Sequence, residues 1–154
     1  ASINQNWTCV LQETCRDAGL SFFTSPYSLE LVDLINQYVP AYKIGSGDIT
    51  WIEIIEYMAS KGKPIILATG ASDLIDVQRA ADAVLSITSD LILLQCNTNY
   101  TASPKNYSCL QLNVLSTFKS MYPDIITGLT KTIGDGSPAF QVSSITNIRL
   151  VIPT

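Results

Sequence analysis

Tyr42-Lys-Ile-Gly-Ser-Gly-Asp-Ile-Thr-Trp51 ends a short apolar approach, residues 39–44, with a basic side chain, two glycines, a hydroxyl and a carboxylate. Val39, Tyr42 and Ile44 favour an extended strand. Gly45 and Gly47 then allow a tight turn and a close approach to a ligand. Lys43, Ser46 and Asp48 lie close enough together to handle an anion, a hydrogen-bond acceptor and a proton at one place. The same residues also suit an ordinary strand-to-helix turn, in which Lys43 snorkels, Ser46 is a local cap and Asp48 caps a helix starting near Ile49. The flanking sequence separates the two readings.

On the N-terminal side, Trp7, Val10, Leu11, Cys15 and Ala18 recur at helical spacing within residues 5–18, and Gly19 closes that segment as a C-cap would. Residues 20–25, Leu-Ser-Phe-Phe-Thr-Ser, carry β-prone aromatics and are predicted as a first strand, stopped by Pro26. Leu29, Leu31, Val32, Leu34 and Ile35 follow as a helix, with Ser28 as N-cap and Glu30 in the first turn. The strand over 39–44 is the second.

On the C-terminal side, Ile52, Ile54, Ile55, Tyr57 and Met58 predict a helix ending at Lys61-Gly62, and residues 64–70 restart the chain as a third strand. Ser72 or Asp73 can cap the next helix, in which Leu74, Val77, Ala80, Ala81, Val84 and Leu85 repeat at three and four. A fourth strand over 91–96 ends in Asn97-Thr-Asn-Tyr100. Leu110, Leu112, Val114, Leu115, Phe118 and Met121 form another helix, stopped by Tyr122-Pro123, and residues 124–130 are a fifth strand.

Strand and helix thus alternate, and the strands are short, almost continuously apolar runs bounded by turn residues, as parallel strands covered on both faces should be. The fold class is α/β. Each strand ends in small or polar groups: Ser25, Lys43 with Ser46 and Asp48, Thr69, Thr98 with Asn99 and Tyr100, and Thr130. In a (β/α)8 TIM barrel the C-terminal strand ends face one another and carry the chemistry, whereas an open sheet gathers its site at a switch point. Functional groups on successive strand ends therefore favour the barrel. A complete barrel takes about 250 residues. The 154 residues supply five to six βα units, an incomplete barrel.

Composition narrows the function. Charged residues make up 14% of the chain, against roughly 25% in an average soluble domain. So thin a charge predicts that part of the surface is covered by other protein. A net charge of -4 with scattered basic residues excludes a duplex-binding face. No apolar run approaches the roughly 20 residues of a membrane span. Residues 1–14 are polar and helical in pattern, so no secretory leader is expected. Cys9, Cys15, Cys96 and Cys109 contain no CxxC pair and read as reduced thiols of a cytoplasmic protein. Histidine is absent, which removes the commonest general base near neutral pH and the commonest transition-metal ligand together.

Phe22-Phe-Thr-Ser-Pro-Tyr-Ser28, Ala41-Tyr-Lys-Ile-Gly-Ser-Gly-Asp48, Gly62-Lys-Pro-Ile-Ile-Leu-Ala-Thr-Gly70, Gln95-Cys-Asn-Thr-Asn-Tyr100 and Tyr122-Pro-Asp-Ile-Ile-Thr-Gly-Leu-Thr130 form an ordered set. In order and spacing it resembles the barrel domain of N-acetylneuraminate (sialic acid) synthases and their legionaminate synthase relatives. The resemblance covers about residues 5–130. It implies a partial barrel domain over 1–130, followed by a divergent tail, 131–154, in which 147–152 could be a last strand.

The resemblance also implies a reaction: phosphoenolpyruvate condenses with the open-chain aldehyde of an N-acyl amino sugar, giving a nonulosonic acid and phosphate. By similarity, Lys43 and Asp48 are the catalytic pair, with Asp48 standing where the family usually has glutamate. Lys43, Ser46 and Ser25 would hold the phosphoenolpyruvate, Thr69, Thr98, Asn99 and Tyr100 would lie along the substrates, and Thr130 takes the place of a family serine. A homodimer is the implied assembly. The family's divalent ion, manganese or magnesium, is held by two histidines that are missing here: the first region reads Gly128-Leu-Thr-Lys-Thr-Ile-Gly134. Ala68 stands where a serine hydroxyl is expected. The family's first two strands and its C-terminal antifreeze-like domain have no counterpart within residues 1–154. Two other readings follow, a non-catalytic fragment or pseudoenzyme that keeps the phosphoenolpyruvate site, and a Schiff-base aldolase using Lys43.

Overall fold

The structure, a computed structural model, describes residues 6–98 and 109–131. Five α-helices and four strands alternate after the first helix: α1 (Trp7–Asp17), α2 (Leu29–Ile35), β1 (Tyr42–Ile44), α3 (Ile52–Ala59), β2 (Ile65–Ala68), α4 (Leu74–Leu85), β3 (Leu91–Asn97), α5 (Asn113–Met121) and β4 (Ile126–Lys131). A 3-10 turn over Ser46–Asp48 follows β1.

Local chemistry sets the helix ends. At the close of α1, Gly19 sits at φ +69, its N–H donates to Arg16 O at 2.9 Å, and the Leu20 N–H donates to Cys15 O at 2.8 Å. That pair of bonds is the Schellman arrangement, which needs the left-handed conformation glycine adopts without strain. The Ser28 hydroxyl accepts from the Leu31 N–H at 3.2 Å to start α2, and the Asp73 carboxylate accepts from the Asp76 N–H at 3.0 Å to start α4. Each satisfies a donor the first helical turn leaves unpaired. Asp48 is not a cap. The helix after it begins at Ile52 behind Trp51, because Asp48 is already bound into the 3-10 turn through its own backbone.

All four strands are parallel and their order is β1-β2-β3-β4, with Lys43 opposite Ile66, Ile66 opposite Ile92, and Ile92 opposite Ile126. An open doubly wound sheet reverses its strand order at a switch point; this sheet adds each strand to the same edge, as a barrel does. The described residues are therefore an arc of a (β/α)8 TIM-barrel-type fold.

The expected first strand, residues 20–25, forms no ladder. Its β-propensity is satisfied in another way: Phe22 and Phe23 pack their half-buried rings against the core. Strand propensity measures fit to a half-buried surface, and here side-chain packing alone supplies that fit. Leu110 and Leu112 precede α5 instead of belonging to it. Residues 132–154, with the expected last strand over 147–152, lie outside the described residues.

The core has two layers, sorted by the two-residue period of the strands. Tyr42, Ile44, Ile65, Leu67, Leu91 and Leu93 face the helices and join Val32, Ile54, Ile55, Met58, Ala80, Ala81, Val84 and Phe118. Ile66, Ala68, Leu94 and Cys96 face the other way and form a separate inner cluster with Ala41. The apolar stripe of α1 is a different case: the helix forms as its periodicity predicts, yet Trp7 and Val10 stay 62% and 59% exposed.

Leu67 is fully buried between sheet and helices, whereas Leu74 at the start of α4 is 46% exposed. Leu67→Ala should lose about 2–5 kcal/mol in urea unfolding, and Leu74→Ala should stay within about 0.5 kcal/mol of the parent. Equal effects would place the core elsewhere.

Candidate functional site

The strand alternation that sends Tyr42 and Ile44 to the helices turns Lys43 to the inner face, in the row that holds Ile66, Ile92 and Ile126. Toward the C-terminal strand ends this face becomes small and polar: Ala68, Gly128, Cys96 and Thr130 share its parity. Room opens there. A cavity of about 160 Å³ is lined by Ser25, Lys43, Ser46, Thr98 and Thr130. Five of the residues expected from the sequence thus come together around one space.

Two others stand off the wall. Thr69 is 4% exposed, and its hydroxyl donates to Leu94 O at 3.1 Å and reaches Gln95 Oε1 at 3.4 Å, so it ties β2 to β3. Asp48, half-buried in the 3-10 turn, packs its carboxylate against Gly45: a Cβ at position 45 would come within 2.9 Å of Asp48 Oδ2 and 3.9 Å of the Tyr27 hydroxyl oxygen. Asn99 and Tyr100 lie outside the described residues.

The cavity also has lining that was not named as site residues from the sequence, Tyr27, Cys96 and Asn97, besides Gly45, read as allowing close approach to a ligand, and Ala68. Cys96 was legible in principle. Counting the two-residue period from Leu91 gives it the same inward parity as Leu94, and the parallel register sets it opposite Thr130. Tyr27 lies in a loop, where no period applies.

The ion pairs within 4.0 Å among the described residues are Arg16 with Asp17 and Lys61 with Asp33. Lys43 therefore lines the cavity with no described carboxylate against it. Ser46 Oγ accepts the Gly70 N–H at 3.0 Å, tying the turn after β1 to the end of β2. Burial pushes the Cys96 thiol up, while the Ser46 hydroxyl, the backbone at Thr69 and Gly70, and the charge of Lys43 pull the other way. One ammonium and several hydroxyls, held by strand ends, make a preorganised cradle for a small anion.

A divalent cation fits less well. Among the described residues no three His, Cys, Asp or Glu side chains gather as ligands, and the wall offers hydroxyls, an amide and a buried thiol. Hard cations prefer several carboxylate or carbonyl oxygens. The described residues do not form such a set.

A parallel barrel-type arc with a lysine-and-hydroxyl pocket at its strand ends defines a class, the α/β-barrel proteins. Comparison with known proteins narrows it. The NeuB family model matches residues 1–134. An uncharacterised protein of Methanocaldococcus jannaschii is 35% identical over 135 residues, 86% of this chain and 39% of that protein. The N,N'-diacetyllegionaminic acid synthase of Legionella pneumophila is 34% identical over 113 residues, 70% of this chain and 32% of the enzyme. Among solved structures, the N-acetylneuraminic acid (sialic acid) synthetase of Leptospira borgpetersenii in complex with citrate superposes with a TM-score of 0.76 at 26% identity, covering 83% of this chain and 44% of that one. The chain belongs to the NeuB family. It spans 39% and 32% of the lengths of these two curated relatives.

The thiols differ in reach: Cys9 and Cys109 are exposed and Cys96 is buried. Only the thiolate reacts with iodoacetamide, so burial slows Cys96 twice, by access and by its raised pKa. Peptide mass spectrometry of a timed reaction at pH 8 should find Cys9 and Cys109 alkylated well before Cys96. Equal rates would mean that the cavity floor is open.

Proposed function

We propose that this chain is the barrel portion, over residues 1–130, of a nonulosonic acid synthase, and that its cavity holds phosphoenolpyruvate for condensation with an N-acyl amino sugar of the N-acetylmannosamine type. One observation carries the reading. Lys43 stands on the inner face without a described carboxylate partner, in a wall of hydroxyls from Ser25, Ser46, Thr98 and Thr130. The cavity, about 160 Å³ in volume, gives a small polar ligand room beside Lys43.

The ammonium would neutralise phosphate or carboxylate charge, and the hydroxyls would fix its orientation, so that charge shifting toward the departing phosphate meets groups already in place. Asn99 and Tyr100 would lie along the sugar. Asp48, beside Tyr27 and Gly45, would act from the cavity's edge. The activity of the family's longer chains, a homodimeric assembly and a cytoplasmic location belong to the same proposal; the family's divalent ion would need ligands that the described residues do not supply. No helix among the described residues is long and apolar enough to cross a membrane.

Calorimetric titration with phosphoenolpyruvate and with inorganic phosphate tests the reading. Both should bind, and Lys43→Met should weaken phosphoenolpyruvate at least tenfold, since hydrogen bonds to charged groups contribute about 1.5–3 kcal/mol. Absence of binding, or binding indifferent to Lys43, would sink it. Borohydride reduction with pyruvate should leave the mass of Lys43 unchanged; a trapped adduct there would mark Schiff-base chemistry in its place.

A further inference from the structure

Gly70 stands where three strand ends meet. Its N–H donates to Ser46 Oγ at 3.0 Å, in the turn after β1. A Cβ added to it would come within 2.7 Å of Cys96 Cβ, 2.8 Å of Cys96 O and 2.8 Å of Thr98 Cγ2, all at the end of β3. Cys96 O is backbone and Cys96 Cβ is fixed to it, so neither can swing aside. Only glycine lets the chain after β2 lie this close to β3 while offering its amide to β1.

The consequence falls on Ser46. A serine hydroxyl has one proton to give and two lone pairs to accept with. Accepting from Gly70 occupies a lone pair and constrains where the proton points. Its neighbour on the cavity side is the Cys96 thiol, which gives its own hydrogen bond to Leu94 O at 3.4 Å. Sulfur is a weak acceptor. An anionic oxygen beside Lys43 would be a much stronger one, because bonds to ionised acceptors are about twice as strong as neutral ones.

We infer that Gly70 is a positioning residue for the anion cradle: its amide holds Ser46 so that the hydroxyl proton is available to an anion held by Lys43. This role rests on the anion site proposed above. It makes the glycine part of the cradle through its main chain.

A double-mutant cycle on the full chain, read by phosphoenolpyruvate affinity, tests it. Ser46→Ala and Gly70→Ala should each weaken binding about tenfold. The double variant should bind no more weakly than Ser46→Ala, because displacing the amide at position 70 matters only while the Ser46 hydroxyl is there to be held. Ser46→Thr, which keeps the hydroxyl, should restore most of the affinity. A Gly70→Ala effect that persists undiminished in the Ser46→Ala background would reduce Gly70 to a structural spacer and overturn the inference, as would parent-like binding by Gly70→Ala. Should Gly70→Ala fail to fold, amide exchange decides: the Gly70 N–H should exchange faster in Ser46→Ala than in the parent, and an unchanged rate overturns the role. A parent chain that binds neither phosphoenolpyruvate nor phosphate overturns the anion site itself, and the role of Gly70 with it.

Discussion

The rest of the site depends on one constraint: a strand covered on both faces must commit alternate side chains to opposite sides. In β1 this leaves no choice for Lys43. Tyr42 and Ile44 are needed against the helices, where both are almost wholly buried, so the residue between them goes inward. A charged group can be held there only if polar partners or water meet it. The neighbouring strand ends supply both, by placing Ala68, Gly128, Cys96 and Thr130 where larger apolar residues would have filled the interior. One row lower in the sheet Ile66 and Ile92 close the inner face as ordinary core, and Leu94, between Ala68 and Gly128, joins them.

Charge is distributed to suit that arrangement. Two carboxylates are engaged away from the cavity by hydrogen bonds. Asp33 takes the Lys61 ammonium at 2.6 Å and the Tyr57 hydroxyl at 2.8 Å, hydrogen bonds that hold its carboxyl below the usual range. Asp82 accepts from Tyr122 at 3.1 Å, and burial together with that carboxylate pushes the Tyr122 phenol up to about 12. Another ammonium, Lys63, donates to the carbonyl of Asn36, the C-cap of α2, where the helix dipole favours a cation, and to that of Val39 in the following loop. These are structural ties between helices and loops. Lys43 is used differently, at a strand end facing hydroxyls. Membership of the NeuB family is consistent with that division, since the matched residues include every strand end that lines the cavity.

Much of the site was legible before any coordinates. Lys43 and Ser46 follow from the strand-then-glycine pattern, and Ser25, Thr98 and Thr130 from the rule that parallel strands gather function at their C-terminal ends. The same rule overreached at Thr69, whose hydroxyl is spent on Leu94 O, because strand-end position does not say whether a hydroxyl faces the cavity or the neighbouring strand. It also missed Cys96, whose apolar reputation hid its inward parity. Residues 20–25 show a related failure, in which aromatic composition promised a strand and delivered packing without a ladder.

From sequence alone came the alternation of strand and helix, the caps at Ser28, Asp73 and Gly19, and the residue types available for binding, because all of these are set by neighbours a few positions away. Register, strand order and the meeting of Ser46, Gly70 and Cys96 were decided by the tertiary structure. Those contacts join groups about 25 to 50 positions apart, and their distances follow from how sheet layers pack, which local periodicity does not encode.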